Sequence, residues 1–191
     1  AEVAELHRRI GFLQEAADGH RRVLGGEHPS TLDAMNNLAN ALSGAGVVDE
    51  AQPIYEETLR IRTDVLGPDH PETIKTRTNL AALFLNSQRP VEAEVELAEV
   101  AAAYERLHGE DHPAVREALA NHGEVLADLG RYPEARRQLE RAISGMPLDD
   151  RLDEQNRITV GTLADVHEKL GDPAAARPLR DALERSGTAR P

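Results

Sequence analysis

"GPDHPETIKTRTNLA", residues 67–81, sets an acid, a histidine and a proline directly before a run whose apolar residues recur at helical spacing. The same turn is spelled "GGEHPSTLDAMNNLA" from Gly25 and "GEDHPAVREALANHG" from Gly109, so His28, His70 and His112 stand 42 residues apart. A second hook recurs as "GFLQEA" from Gly11, "GVVDEA" from Gly46, "QRPVEA" from Gln88, "GRYPEA" from Gly130 and "GDPAAA" from Gly171. The final alanines of the hooks are separated by 35, 42, 42 and 41 residues. A spacing kept over so many turns is the register of stacked supersecondary units.

Each unit reads as two helices. Pro29, Pro71 and Pro113 suit a first helical position, because proline has no N–H to lose there and its φ is already helical. The acid and histidine before each proline cover the free N–H groups at that end. From Pro29, the residues Leu32, Met35, Leu38, Ala39 and Leu42 fall at helical spacing, and Gly44 and Gly46 stop the helix. A second helix is predicted from about Val48 to Leu66, with Ala51, Ile54, Tyr55, Leu59 and Leu66 on its buried side and Gly67 at its end. Ala51, Ala93 and Ala135 mark places where two helices approach closely, since a larger side chain would part them.

Composition agrees with helices and narrows the chemistry. The 191 residues contain 3 % aromatics and no tryptophan, too few for a sheet protein. A formal net charge of −12 argues against nucleic acid or an anionic membrane as partner. No cysteine is present, which removes disulfides and thiolate chemistry. No apolar run reaches the length of about 18 residues that a membrane span needs, and the opening residues do not read as a signal sequence; the expected setting is cytoplasmic.

The recurring histidines read as caps. Stacked repeats hold equivalent residues at least ~8–10 Å apart, too far for His28, His70 and His112 to share a metal ion. His108 and His112 straddle Gly109 and are not expected on one helix face. No metalloprotease, phosphate-loop, nucleophile-elbow or paired-cysteine motif is present, and "SGAG" at residues 43–46 lacks the preceding strand and following lysine of a phosphate cradle. The residues suggest no catalytic group, no metal site and no cofactor.

The order "HPSTLDAMNNLANAL…G…EA…Y…L" resembles tetratricopeptide repeats, and the 42-residue unit with its acid-His-Pro turn and "NNLA" looks like the kinesin light chain type. The resemblance spans residues 1 to about 185. It implies an all-α, right-handed superhelical solenoid of antiparallel helix pairs whose first helices line a concave groove for peptides or partner proteins, with no enzymatic activity. The units fall at approximately 1–24, 25–66, 67–108, 109–147 and 148–185, followed by a disordered tail at 186–191. The first unit reads as seven residues short, close to two helical turns, and the chain as a fragment of a larger protein. The last reads as a degenerate cap, with "MPLDDRLDEQNRI" in place of the His-Pro turn and Arg180 where Tyr55, Leu97 and Leu139 stand earlier.

Carried over by register, the groove residues are Asp33, Asn36, Asn37 and Asn40, then Lys75, Thr78, Asn79 and Ala82, then Glu117, Ala120, Asn121, Glu124 and Asp128, and finally Gly161, Asp165 and Glu168. Asn37, Asn79 and Asn121 recur at steps of 42, and carboxamides can both donate to and accept from an extended peptide backbone. Their structural alternative is a bond to a neighbouring helix. The clamp of cations that some tetratricopeptide proteins close on a carboxyl terminus is missing, and Glu117 stands where it would need lysine. The acids at 117, 124, 128, 165 and 168 imply a partner that is basic toward the carboxyl-terminal half. Arg77 takes the packing position of Met35 and Leu119, and either reaches the solvent edge or enters the groove. Two other readings stay open: a self-association module, and the regulatory domain of a fused enzyme. The ligand and the oligomeric state are not written in the residues.

Overall fold

The computed structural model describes residues 2–149 and 152–188. Among them are nine helices and no strand: α1 (Glu2–Leu24), α2 (Pro29–Gly44), α3 (Val48–Leu66), α4 (Pro71–Asn86), α5 (Pro90–His108), α6 (Pro113–Asp128), α7 (Tyr132–Ala142), α8 (Glu154–Lys169) and α9 (Pro173–Thr188). This is an all-α helical repeat fold. By packing, the chain divides into two compact units, Ala1–Glu96 and Leu97–Pro191. Their boundary falls inside the unbroken helix α5, so it coincides with none of the repeat boundaries read from the sequence.

The histidine caps form as the sequence predicts. Each histidine sits in extended backbone, and its Nδ1 accepts the N–H two residues on: His28 from Ser30, His70 from Glu72 and His112 from Ala114, each at 3.2 Å. An accepting Nδ1 carries no proton, which places the ring hydrogen on Nε2. In α8 the cap is Asp153, whose carboxylate accepts from the Asn156 N–H at 2.8 Å. At the other end of the first helices the chain turns through a left-handed residue, Gly46 at φ 74° and Gly130 at φ 73°. Gln88 fills this role after α4 with φ 58°, a conformation that favours glycine.

In the first unit α2 packs between α1 and α3, and α4 closes on α3. Its core holds Leu32, Leu38, Tyr55, Leu83 and Phe84, each contributing roughly 1.5–3 kcal/mol by leaving water. In the second unit α6 packs on α7, α7 on α8 and α8 on α9, around Leu126, Leu139, Val160 and Leu163. Ala51, Ala93 and Ala135 are each 0 % exposed, as close approach requires. Leu66, by contrast, lies at the surface, and Ile54 is only half-buried.

Three expectations are corrected. The hook "GFLQEA" makes no turn, and Gly11 lies within the continuous helix α1. Nor is the first unit seven residues short, since His20 Nδ1 meets the Ser30 carbonyl at 3.1 Å just as Arg62 meets the Glu72 carbonyl, at the unshortened step of 42. The hook matches in composition only, since the backbone stays helical through Gly11 to Leu24. His108 ends α5 and His112 caps α6, so the two share no helix face, as expected, and their rings stack at 4.2 Å across the turn at Gly109, φ 79°. Finally, Ser186, Gly187 and Thr188 belong to α9 rather than a disordered tail. The Ser186 hydroxyl donates to the Leu183 carbonyl at 3.0 Å and its own carbonyl accepts from Arg157, while residues 189–191 lie outside the described residues.

Candidate functional site

The residues assigned to a groove project from the first helices, and their neighbours decide what each can offer. In the first unit Asn37 is exposed and makes no hydrogen bond among the described residues. Asn36 is 2 % exposed, and its Oδ1 accepts from the Asn79 carboxamide at 3.4 Å. This pair joins α2 to α4. Asn36 therefore belongs to the interior, one residue further round the helix than a lining position, and Asn79 is partly committed to it. Asn40 is exposed, with its Oδ1 accepting from the Tyr55 hydroxyl. Burial pushes that phenol up to about 12, so it stays a donor at any physiological pH. Thr78 is exposed but donates to the Ile74 carbonyl of its own helix at 3.0 Å. Ala82 is exposed, and the exposed Lys75 lies 3.5 Å from Glu72.

Beside these residues sits a cation that the periodicity did not reveal. Arg62 of α3 is 2 % exposed, with its guanidinium held between α2 and α4. Nη1 donates to the Glu72 carbonyl at 3.0 Å and to Thr76 Oγ1 at 2.7 Å. Nη2 pairs with Asp33 and lies 3.3 Å from the Glu72 carboxylate. Asp33 is therefore a partner of the scaffold before it is a lining residue. The available sequence signal was position: residue 62 follows Tyr55 and Leu59 at helical spacing, where an apolar residue is expected.

Arg77 takes neither course expected of it. It forms an ion pair with Glu96 at 2.7 Å, both side chains being 17 % exposed, on the side of α4 that faces the second helices. A small cavity there is lined by Leu59, Thr63, Leu80 and Phe84 as well as this pair.

In the second unit Glu117 and Asp128 are exposed, Asn121 is half-buried, and Ala120 is buried. Glu124 is half-buried and accepts from Thr159 Oγ1 at 3.0 Å. Burial raises its carboxyl above the ordinary range, the nearby Asp128 charge adds to this, and the threonine bond opposes it. Asp165 and Glu168, expected to act as free acids, both bind Arg180. Glu168 first and then Asp165 hold that guanidinium above its usual value. Arg180 thus does more than face water at the end of an array: it pairs with two of the acids that were read as groove residues. Gly161 is half-buried on α8. A cavity of about 650 Å³ opens between α6, α8 and the connection after α7, with Glu117, Met146, Gln155 and Thr159 in its wall.

Models of the tetratricopeptide repeat match residues 31–72 and 79–147, which together take in more than half of the chain. The chain belongs to the tetratricopeptide repeat family. Solved structures agree on the fold. A kinesin light chain protein of Podosopora anserina, built of nearly identical TPR-like repeats, superimposes with a TM-score of 0.81 at 20 % identity, over 100 % of this chain and 92 % of that one. BtubC (BKLC) from P. vanneervenii gives 0.66 at 19 % identity over 97 % and 94 %. YrrB, described as a TPR protein with an unusual peptide-binding site, gives 0.63 at 18 % identity over 95 % and 78 %. No curated protein matches the chain. Among the described residues of this tetratricopeptide protein, no cluster of three or more His, Asp or Glu is placed to hold a metal, and no helix is long and apolar enough to cross a membrane.

Proposed function

We propose that this tetratricopeptide protein is a non-catalytic scaffold that binds a peptide or partner protein on the faces of its first helices. The observation that carries the reading is that, in each unit, these faces keep polar groups the fold does not use. Asn37 stands exposed in the first unit, and Glu117, Asp128 and half-buried Asn121 in the second; Lys75 is exposed too but shares its charge with Glu72. A carboxamide that can both donate and accept suits an extended backbone. Thr78, Asn79 and Asn40 can add only the capacity left over from their bonds within the protein. Free acids at Glu117 and Asp128, with a net charge of −12, favour a basic partner on the second unit. Pairing of Asp165 and Glu168 with Arg180 confines that preference to α6.

The test is a peptide-library screen on the immobilised chain in low salt, repeated with Asn37→Ala and with Asn121→Ala. Selected peptides should bind each variant about five- to a hundredfold more weakly, the effect of leaving a partner group unpaired. Both variants should melt with the parent, since Asn37 makes no bond within the fold. Selection of no peptide, or equal binding by all three proteins, would sink the reading. A concentration series in light scattering separates a monomeric receptor from a module that binds its own copy.

A further inference from the structure

Two seams of the molecule share a register but not an occupant. Asp33 and Glu117 stand five residues beyond their caps, His28 and His112; Glu72 and Thr76 stand two and six beyond His70, as Gln155 and Thr159 do beyond Asp153. The backbone detail repeats as well. Thr76 donates to the Glu72 carbonyl at 3.0 Å, and Thr159 to the Gln155 carbonyl at 3.1 Å. On the second helices, Arg62 lies fifteen residues beyond Val47 at the start of α3, and Met146 lies fifteen beyond Arg131 at the start of α7.

In the α2–α4 seam these acceptors converge on the Arg62 guanidinium: one carbonyl, one hydroxyl and two carboxylates. In the α6–α8 seam the carbonyl, the hydroxyl and one carboxylate are kept, and the second carboxylate is replaced by the Gln155 amide. The cation is not kept. Helix α7 ends at Ala142, so residue 146 lies beyond it, as a methionine, in the wall of the 650 Å³ cavity. Ala120, Ala142 and Thr159, all buried, line that cavity. Of its other charged groups, Arg116 donates to the Asp111 carbonyl at 2.6 Å and Asp153 caps α8, while Asp111 brings a further exposed carboxylate to the lining. Glu117 is exposed and without an ion pair among the described residues.

We infer that this cavity receives one arginine side chain of a partner peptide, seated as Arg62 is seated in the first unit. The inference rests on the scaffold reading and names the chemistry of its ligand. A guanidinium fits better than an ammonium because the acceptors divide between two nitrogens of a planar fork, one facing the carbonyl and hydroxyl and the other the carboxylate. The volume also leaves room for backbone on either side of the arginine.

The experiment is an NMR titration of the full chain in low salt with N-acetyl-arginine amide and, separately, with its citrulline analogue, which keeps the length and loses the charge. Arginine amide should shift the amides of Glu117, Gln155 and Thr159 saturably, and leave those of Asp33, Glu72 and Thr76 in place because Arg62 already fills that seat. Citrulline amide, and arginine amide on the Glu117→Gln variant, should each bind about tenfold more weakly, as loss of a charge-assisted bond requires. Equal response to citrulline, indifference to Glu117→Gln, or no saturable shift would overturn the inference. A negative titration alongside a productive peptide screen rejects the arginine seat alone. A positive titration alongside an empty screen rejects the scaffold reading and leaves the seat standing.

Discussion

The seam between α2 and α4 is closed by an arginine of its own unit, while the seam between α6 and α8, with a threonine, a carbonyl and an acid at the same register, is open. The difference lies in the second helices. Helix α3 runs for 19 residues and carries Arg62 into the seam, whereas α7 stops after 11 and leaves Met146 in a turn. A repeat's inward surface is therefore set by how far the neighbouring second helix continues, as well as by the residues of the first helices.

The largest test of that comparison removes the internal cation. Arg62→Ala should lower stability by about 2–4 kcal/mol in urea unfolding, because the Thr76 hydroxyl and the Glu72 carbonyl lose a donor and a void remains. Asp33 and Glu72 keep contact with water, which holds the loss below that of a fully buried pair. Met146→Ala at the matching position should lose less than about 1 kcal/mol, since the side chain lines an open cavity. Equal losses would mean that the two seams are not counterparts.

A smaller effect is expected where the units differ in how closely two helices meet. Eleven residues beyond the caps stand Ala39 and Ala81 in the first unit and Ala164 in the second, but Gly123 holds that place on α6, where an added Cβ would come within 2.7 Å of Leu139 Cγ. Gly123→Ala should destabilise by about 1–3 kcal/mol despite alanine's better helix propensity. A rise in melting temperature would show that α6 and α7 can relax apart.

The smallest concerns Glu124, which occupies the register of Asn40. Its folded pKa is raised, so the folded state holds its proton more tightly than the unfolded state, and its contribution to stability falls as pH rises from the ordinary carboxylate range through the raised folded value. Glu124→Gln removes that fall while keeping an acceptor for Thr159. At neutral pH the variant should melt about a degree or two higher, and the gap should close on acidification. A gap independent of pH would assign the effect to shape instead of charge.

The caps, the helix ends and the small residues at close approaches were legible because each is a local property. A histidine two residues before a free N–H, a glycine that can take positive φ, and an alanine at a fixed phase of a helix all act within one turn of chain. The outward faces of the first helices were legible in phase only. Asn37 and Glu117 stand outward as read, but Asn36 turns inward to meet Asn79, Asp33 is taken by Arg62, and Asp165 and Glu168 are taken by Arg180. In each case a partner 12 to 43 residues away decides the matter, and no periodicity records which long side chain reaches it.

By itself the sequence determined the repeat family, the two-helix unit and the placing of its turns from Gly25 onward, since 42-residue spacing and turn chemistry leave few alternatives for the backbone there. Only the tertiary structure decided that α1 is one continuous helix, that Arg77 answers Glu96, and that one seam is filled and its counterpart open. Those outcomes depend on where a helix finds or lacks a neighbour and on how far a flexible side chain extends toward an acceptor. Both are set by packing across turns far apart in the chain, in which local propensity has no part.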